Sequence, residues 1–394
     1  MTQRPATTWD DVIDRSVAFR QALHRQPELA WSEVGTARRI RDRLTELGIE
    51  WRPCAETGTL AIIAPRANGR HIALRADIDG LPIRELTGLE WASEVEGRMH
   101  ACGHDGHTAT LFATAAWLKR QEQDLPGPVT LLFQPAEEGG HGAREMIADG
   151  ALEGVEAVYG WHNWPAIPFG QAVCPDGAVM AGNGTFELEV RGQGGHSSQP
   201  EACRDPVLAG AAIVTALQQV VARRLTPQHA TVLSVTSFDA KSGPTVIPDV
   251  AMLEGSFRLA DPEDRQKIEQ LIEEVATSTA RAYGTTCEVT VRPRYDATIN
   301  HAAEAERYRQ ALRDELGPEG LSHPTATPIM ASEDFSYYLK EVPGAFALIG
   351  SDDSPEKENH HNVPCHNARY DFNDALIPRV ARVYARLAGA SLPT

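Results

Sequence analysis

The stretch Cys102-Gly103-His104-Asp105-Gly106-His107 places a thiol and two imidazoles close together, and a thiolate beside imidazoles suits a borderline-soft divalent ion. If the chain is extended there, Cys102 and His104 face one site, because residues i and i+2 share a side. Gly103 and Gly106 let the backbone turn round an ion, and His107 is expected to open the following helix. Taken alone, the cluster reads equally well as a polar helix start with hydrogen-bonded histidines. A second stretch, FQPAEEGGHGA at 133–143, sets Glu137 and Glu138 side by side after an apolar run. Adjacent carboxylates repel unless a cation offsets them. One can then hold an ion while the other takes a proton from water; a solvated acidic loop is the alternative for an isolated pair. A third stretch, YGWHNWP, puts His162 directly after another apolar run. Each feature has a structural explanation by itself, but three strand ends carrying such side chains point to a metallohydrolase centre.

The elements that must position these residues are legible as alternation. Helical spacing from about 10 to 50 splits at Gln26-Pro27, and the short apolar runs TLAIIAP, HIALRAD, VTLLFQP and VEAVYGWHN alternate with helical stretches such as TATLFATAAWLKRQEQ and GAREMIADG. This predicts an α/β domain with a mixed, largely parallel sheet flanked by helices. Its chemistry belongs at the ends of the strands. Between 184 and 296 the order changes to β-α-β-β-α-β, which predicts an inserted α+β domain of four strands backed by two helices. The expected division is therefore 1–183 with 297–394, interrupted by 184–296.

Bulk properties narrow the partners. A chain of 394 residues with formal net charge -17 repels phosphate backbones and anionic lipid surfaces, which argues against nucleic acid and membrane as partners. No segment is expected to approach the ~20 apolar residues that span a bilayer, and the N-terminus does not read as a targeting segment. Six scattered cysteines read as thiols. A cytoplasmic protein is expected.

At these residues the sequence resembles the M20 family of metallopeptidases and amidohydrolases, in the branch of hippurate hydrolases, N-acyl-amino-acid amidohydrolases and auxin-conjugate hydrolases. The resemblance runs through LHRQPELAWSE, RADIDGLPI, MHACGHDGHTA, QPAEEGGHGAREMI, HNWP, GQGGHSSQP, VIPD with GSFR, ASEDFSYY and CHNARYDFNDA, in that order. It implies two divalent metal ions (zinc, manganese, cobalt or nickel) held by Cys102, His104, Glu138, His162 and His366. His360 and His361 are rivals for the last place. It also implies that Glu137 is the general base that deprotonates water and later hands the proton to the leaving amine. His196, in GGHSS, is implied to complete the oxyanion site, supplied from the other subunit of a homodimer or higher oligomer joined through the inserted lid domain. Asp77 and Asp79 fall at acidic positions that support the centre, while Glu333 and Asp334 lie beside it or cap a helix.

Substrate contacts depart from the pattern at two places. Thr245 stands where many relatives carry an asparagine that holds the substrate near its carboxylate, which leaves Arg258 as a carboxylate partner, with a surface salt bridge as its alternative. Glu201 stands where this branch usually has histidine, and an anion there favours a cationic side chain, as in an N-acetylated diamino acid. The function expected is hydrolysis of the amide bond of a small-molecule N-acyl-L-amino acid. A dipeptidase or carboxypeptidase of the same chemistry is the first alternative, and a non-catalytic metal-dependent binding protein the second.

Overall fold

The apolar runs at 58–63, 72–77, 129–134 and 157–168 become strands of one seven-stranded sheet in a computed structural model that describes residues 8–354 and 359–392. In spatial order the strands are Trp51–Cys54, Gly58–Ile63, Val129–Gln134, Ile72–Asp77, Ala157–Pro168, Gly344–Asp352 and Ala172–Val173. The middle pairings are parallel and the outer ones antiparallel, so the sheet is mixed as expected. Every residue of Ile72–Asp77 and Val129–Gln134 is buried, which is why these runs lack alternation: helices cover both faces. The helix His104–Arg120 is buried almost all round and packs against Trp9–His24 and Leu376–Leu387.

Charged residues lock that central helix to the first one. Arg20 and His24, both buried in Trp9–His24, meet Asp105 in the first turn of His104–Arg120: His24 Nδ1 lies 2.8 Å and Arg20 3.7 Å from its carboxylate. Arg20 also pairs with Asp371 at 2.9 Å and Asp374 at 2.7 Å. Burial opposes a charge on His24, but Asp105 and Glu85 outweigh it and raise its pKa from 6.5 to about 9. A raised histidine pKa stabilises fully below its unfolded value and loses that contribution as pH rises through the folded value. The wild type is therefore expected to lose about 3 kcal/mol relative to His24→Gln between roughly pH 6 and 9.5, read by urea unfolding. Parallel pH dependence in the two proteins would contradict this.

The chain divides into two compact units: Met1–Val179 with Ile299–Ala326 and Asp334–Thr394, and Met180–Thr298 with Thr327–Glu333. In the smaller unit, Gly182–Arg191, Pro206–Gln219, Thr231–Asp239, Val250–Leu259, Arg265–Ala282 and Thr286–Pro293 follow one another as β-α-β-β-α-β. The strands form one antiparallel sheet in the order Thr231–Asp239, Val250–Leu259, Gly182–Arg191, Thr286–Pro293. Residues 327–333, expected with the larger domain, group with this unit because Ala181 donates its N–H to Ile329 and Ala331 carbonyls, each at 2.9 Å.

One expectation needs correction here. Pro206–Arg224, 19 residues of mean hydropathy 1.3, is long and apolar enough to cross a membrane, although no such segment was expected. Its Ala209, Ile213, Leu217 and Val220 are packed in the core of the smaller unit, so one face of the helix has a protein partner.

Candidate metal centre

Three segments of the larger unit converge at the ends of its strands. The helix begins at His104 rather than at His107 as expected, because Gly103 adopts φ 94° as its N-cap. A side chain at Gly103 would put its Cβ 2.4 Å from Asn163 Oδ1 and 2.7 Å from Tyr370 Oη. Only glycine fits, and the turn delivers Cys102 and His104 to one place. His162 lies within the strand Ala157–Pro168 rather than after it, and Cys102 Sγ is 3.3 Å from its Nε2. Glu137 and Glu138 follow Val129–Gln134 through Ala136, whose positive φ of 52° is held by a hydrogen bond from its N–H to Glu33 Oε1 at 2.8 Å.

Asp79 ties these segments together. Its Oδ1 accepts the Glu137 N–H at 3.1 Å and its Oδ2 the Glu138 N–H at 3.0 Å. His104 Nδ1 lies 3.0 Å from the Asp79 carbonyl oxygen and 3.2 Å from Oδ1. Both are acceptors, so Nδ1 carries the proton and Nε2 is left to face the centre. Asp77 has both oxygens occupied, by Arg75 at 2.7 Å and His107 Nδ1 at 2.6 Å, so it supports the centre from beneath.

Among the groups whose donor atoms all lie within 4.8 Å of one another are Cys102, His104 and His162; Cys102, Glu138 and His366; and His104, Glu137 and Glu138. Two of the groups share Cys102, the arrangement that a pair of ions needs. His366 is held at φ 66°, with its N–H donating to Ala101 O at 2.8 Å and its Nε2 3.1 Å from Glu138 Oε1. Its rivals are engaged elsewhere, His360 Nδ1 at 2.6 Å from Arg369 O and His361 Nδ1 at 3.0 Å from Asp353.

The electrostatics of the group fit a cation. His104 Nε2 is buried without a hydrogen bond. Burial opposes a charge on that ring, yet Asp77 and Asp79 overcome it and raise its pKa to about 10. Burial pushes the Glu138 pKa up, but His366 and His104 bring it below the ordinary carboxylate value. The Cys365 thiol, then burial and Glu138, push the Cys102 thiol well up, while burial and His107 hold His162 well below its usual value. The carboxylates round His104 thus favour a positive charge at this place, and an ion held there would take Cys102 as thiolate.

Beneath the centre lies a network whose roles were not read from the sequence. Arg75 donates to Asp77, to Gln134 Oε1 at 2.9 Å and to Asp334 at 3.1 Å. Asp334 also accepts from Gln134 and from the Ala143 N–H at 3.0 Å, while the N-cap position of the helix Ser336–Glu341 is Phe335. His107 Nε2 lies 2.7 Å from Asn163 Oδ1, and Asn163 Nδ2 donates to Tyr370 Oη at 2.7 Å. The signal for these residues was their place inside RAD, HNW and ARYDF, which no spacing argument singles out. Glu333 is buried in the smaller unit.

The other expected residues belong to the smaller unit. His196 is exposed in a two-stranded ladder with Val246–Ile247, and the neighbouring Ser197 N–H donates to Thr245 O at 2.9 Å, so His196 and Thr245 are brought together. His196 Nδ1 accepts the Ser198 N–H at 3.2 Å, which leaves Nε2–H as the free donor of the neutral ring. Glu201 is exposed in the turn Pro200–Ala202. Arg258 is half-buried in Val250–Leu259 and donates to Phe257 O at 3.1 Å. Among the described residues no carboxylate stands within ion-pair distance of it, so the salt-bridge alternative is not what the structure holds. Burial and Arg294 lower its pKa.

Comparison with known proteins gives the family of the chain. Residues 73–390 match the sequence profile of peptidase family M20/M25/M40. The hippurate hydrolase of Campylobacter jejuni is 36% identical over 384 residues, covering 96% of this chain and 97% of that protein. The N-acetylcysteine deacetylase of Bacillus subtilis is 36% identical over 390 residues, covering 96% and 97%. The crystal structure of the Bacillus subtilis YXEP protein, a dinuclear metal binding peptidase from the M20 family, matches with TM-score 0.81 at 33% identity, covering 96% of this chain and 98% of that one. The chain belongs to peptidase family M20/M25/M40 and is a metal-dependent amidohydrolase.

Proposed function

We propose that the protein hydrolyses the amide bond of an N-acyl-L-amino acid, with Cys102, His104, Glu138, His162 and His366 holding two divalent ions and Glu137 as general base. The observation that carries this reading is the sharing of Cys102 between two donor groups with the buried Glu137 carboxylate alongside. Two ions bound there supply an electrophile for the amide carbonyl and acidify water near neutral pH. Glu137 takes the proton of the attacking water on its carboxylate and returns it to the amide nitrogen as the C–N bond breaks. His196, supplied by the lid of a second copy, stabilises the oxyanion through its Nε2–H, and Arg258 pairs with the substrate carboxylate. The thiolate favours zinc, with manganese, cobalt and nickel as substitutes.

The smaller unit is proposed to be the lid, and to join two copies. Val207 and Leu208 on its helix, and Val232 and Phe238 on its unpaired edge strand Thr231–Asp239, are exposed apolar groups that a second copy would cover. A cytoplasmic setting completes the proposal.

The test is free-amine release from N-acetyl, N-benzoyl and indole-acetyl amino acids and plain dipeptides, by enzyme stripped with chelator and resupplied with single metals. Metal-dependent release from one acyl class is expected. Release from dipeptides alone moves the protein to the peptidase side of the family, and silence with metal bound overturns hydrolysis altogether. Because Glu201 is an exposed anion, we expect N-acetylated diamino acids such as N-acetyl-ornithine among the preferred substrates. Glu201→Ala should lower kcat/KM for these relative to aromatic substrates about tenfold, or about 1.4 kcal/mol. An unchanged ratio would remove Glu201 from specificity.

A further inference from the structure

Cys365 takes no part in the reaction proposed above, yet its thiol lies against the backbone of the residue whose thiol two donor groups share. The two segments run side by side: His366 donates its N–H to Ala101 O at 2.8 Å, and Cys365 Sγ is 4.0 Å from Cys102 O. Of the groups around Cys102, the Cys365 thiol acts first in pushing the Cys102 thiol up. Asn163 Nδ2, 3.7 Å from Cys365 Sγ, holds the second sulfur in place from the strand that carries His162. Cys102 is buried whereas Cys365 is half-buried, so a small oxidant reaches Cys365 first. Neither thiol is tied up in a disulfide.

We propose that Cys102 and Cys365 form a reversible oxidation site that takes a hydroperoxide as oxidant and, on closing, withdraws Cys102 from the metal donors. With hydrogen peroxide, the Cys365 sulfur attacks one peroxide oxygen, the O–O bond breaks, and a sulfenic acid and one water are formed. The Cys102 sulfur then attacks the Cys365 sulfur. The S–O bond breaks, and the departing hydroxide leaves as a second water, taking its proton from the Cys102 thiol in the metal-free site and from solvent where Cys102 is a metal-bound thiolate. Two thiols have been oxidised to one disulfide, and one peroxide has been reduced to two waters. Closing a bond of about 2.05 Å requires rotation about the side chain of Cys365, which is half-buried rather than enclosed. A sulfur so bonded has no thiolate left to offer an ion. A dithiol reductant reverses the change.

The effect on metal rests on the donor set proposed above; the disulfide itself does not, and the experiment separates them. The full-length protein, loaded with zinc, is treated with hydrogen peroxide and followed by intact mass, by mapping of linked peptides and by a chromogenic zinc chelator. The expected result is loss of the mass of two hydrogens, a peptide linking Cys102 to Cys365, zinc released in step with the link, and recovery of both on adding dithiothreitol and zinc. Cys365→Ser should form no such link and release zinc about tenfold more slowly or worse, with any loss then irreversible by dithiothreitol because Cys102 oxidises alone beyond the sulfenic stage. Absence of the link in the wild type, or reversible zinc release at the same rate in Cys365→Ser, overturns the proposal. A link that forms without zinc release overturns the withdrawal of a donor, and with it the place of Cys102 in the centre.

Discussion

Glu137→Ala is expected to lower kcat by about 10²–10⁴-fold while leaving fold and metal content intact, which is the range that a positioned general base contributes. The residue is buried, its backbone N–H is held by Asp79, and in the donor group it shares with His104 and Glu138 those two remain available without it. Removing its carboxylate therefore removes the proton carrier before it removes an ion. KM should change much less than kcat, because the amide nitrogen and the attacking water meet the base chiefly in the transition state. Cys102→Ala makes the opposite trade. It strips both donor groups of their common sulfur, so metal content falls first and activity falls with it. Metal analysis beside steady-state kinetics of the two variants distinguishes the roles: full metal content in Cys102→Ala, or near-normal kcat in Glu137→Ala, would reverse the assignments.

How far these roles could be read in advance depended on whether the determining physics is local. The buried strands Ile72–Asp77 and Val129–Gln134 were legible because continuous apolar runs have few alternatives. Cys102, His104, Glu137 and Glu138 announced themselves by chemical type, and the helix start shifted by only a few residues because a left-handed Gly103 is a backbone event. His366 could not be separated from His360 and His361 by spacing. The separation is tertiary, since only His366 reaches Glu138 while the others are held by Arg369 and Asp353. Arg75, Asn163, Asp334 and Tyr370 were invisible as a network for the same reason. Gln134 and Asp334 are 59 and 259 positions from Arg75 along the chain, and Tyr370 is 207 from Asn163. Cys365 looked like any scattered thiol until the fold set it against Cys102.

Asp79 gives the second large effect, and its expected behaviour follows from counting donors. Two backbone N–H groups, of Glu137 and Glu138, point at its two oxygens at 3.1 and 3.0 Å, and the His104 ring leans on the same residue. Asparagine fills the same space but offers one acceptor and one NH₂, so one of the two backbone donors would face another donor in a buried site. Asp79→Asn should therefore behave nearly as badly as Asp79→Ala rather than as a mild neutralisation. The loop carrying both glutamates shifts and His104 loses the contact that fixes its tautomer. Metal affinity is expected to fall about 10–100-fold, the usual cost of losing a group that orients ligands. At saturating metal a further loss in kcat of about 10²-fold should remain, because a displaced Glu137 no longer meets the proton it must carry. Calorimetric metal titration and kinetics at saturating metal read these two effects separately. If full metal loading restored kcat in Asp79→Asn, the residue would be orienting the ligands alone, and Glu137 would owe its position to the hydrogen bond between Ala136 and Glu33 instead.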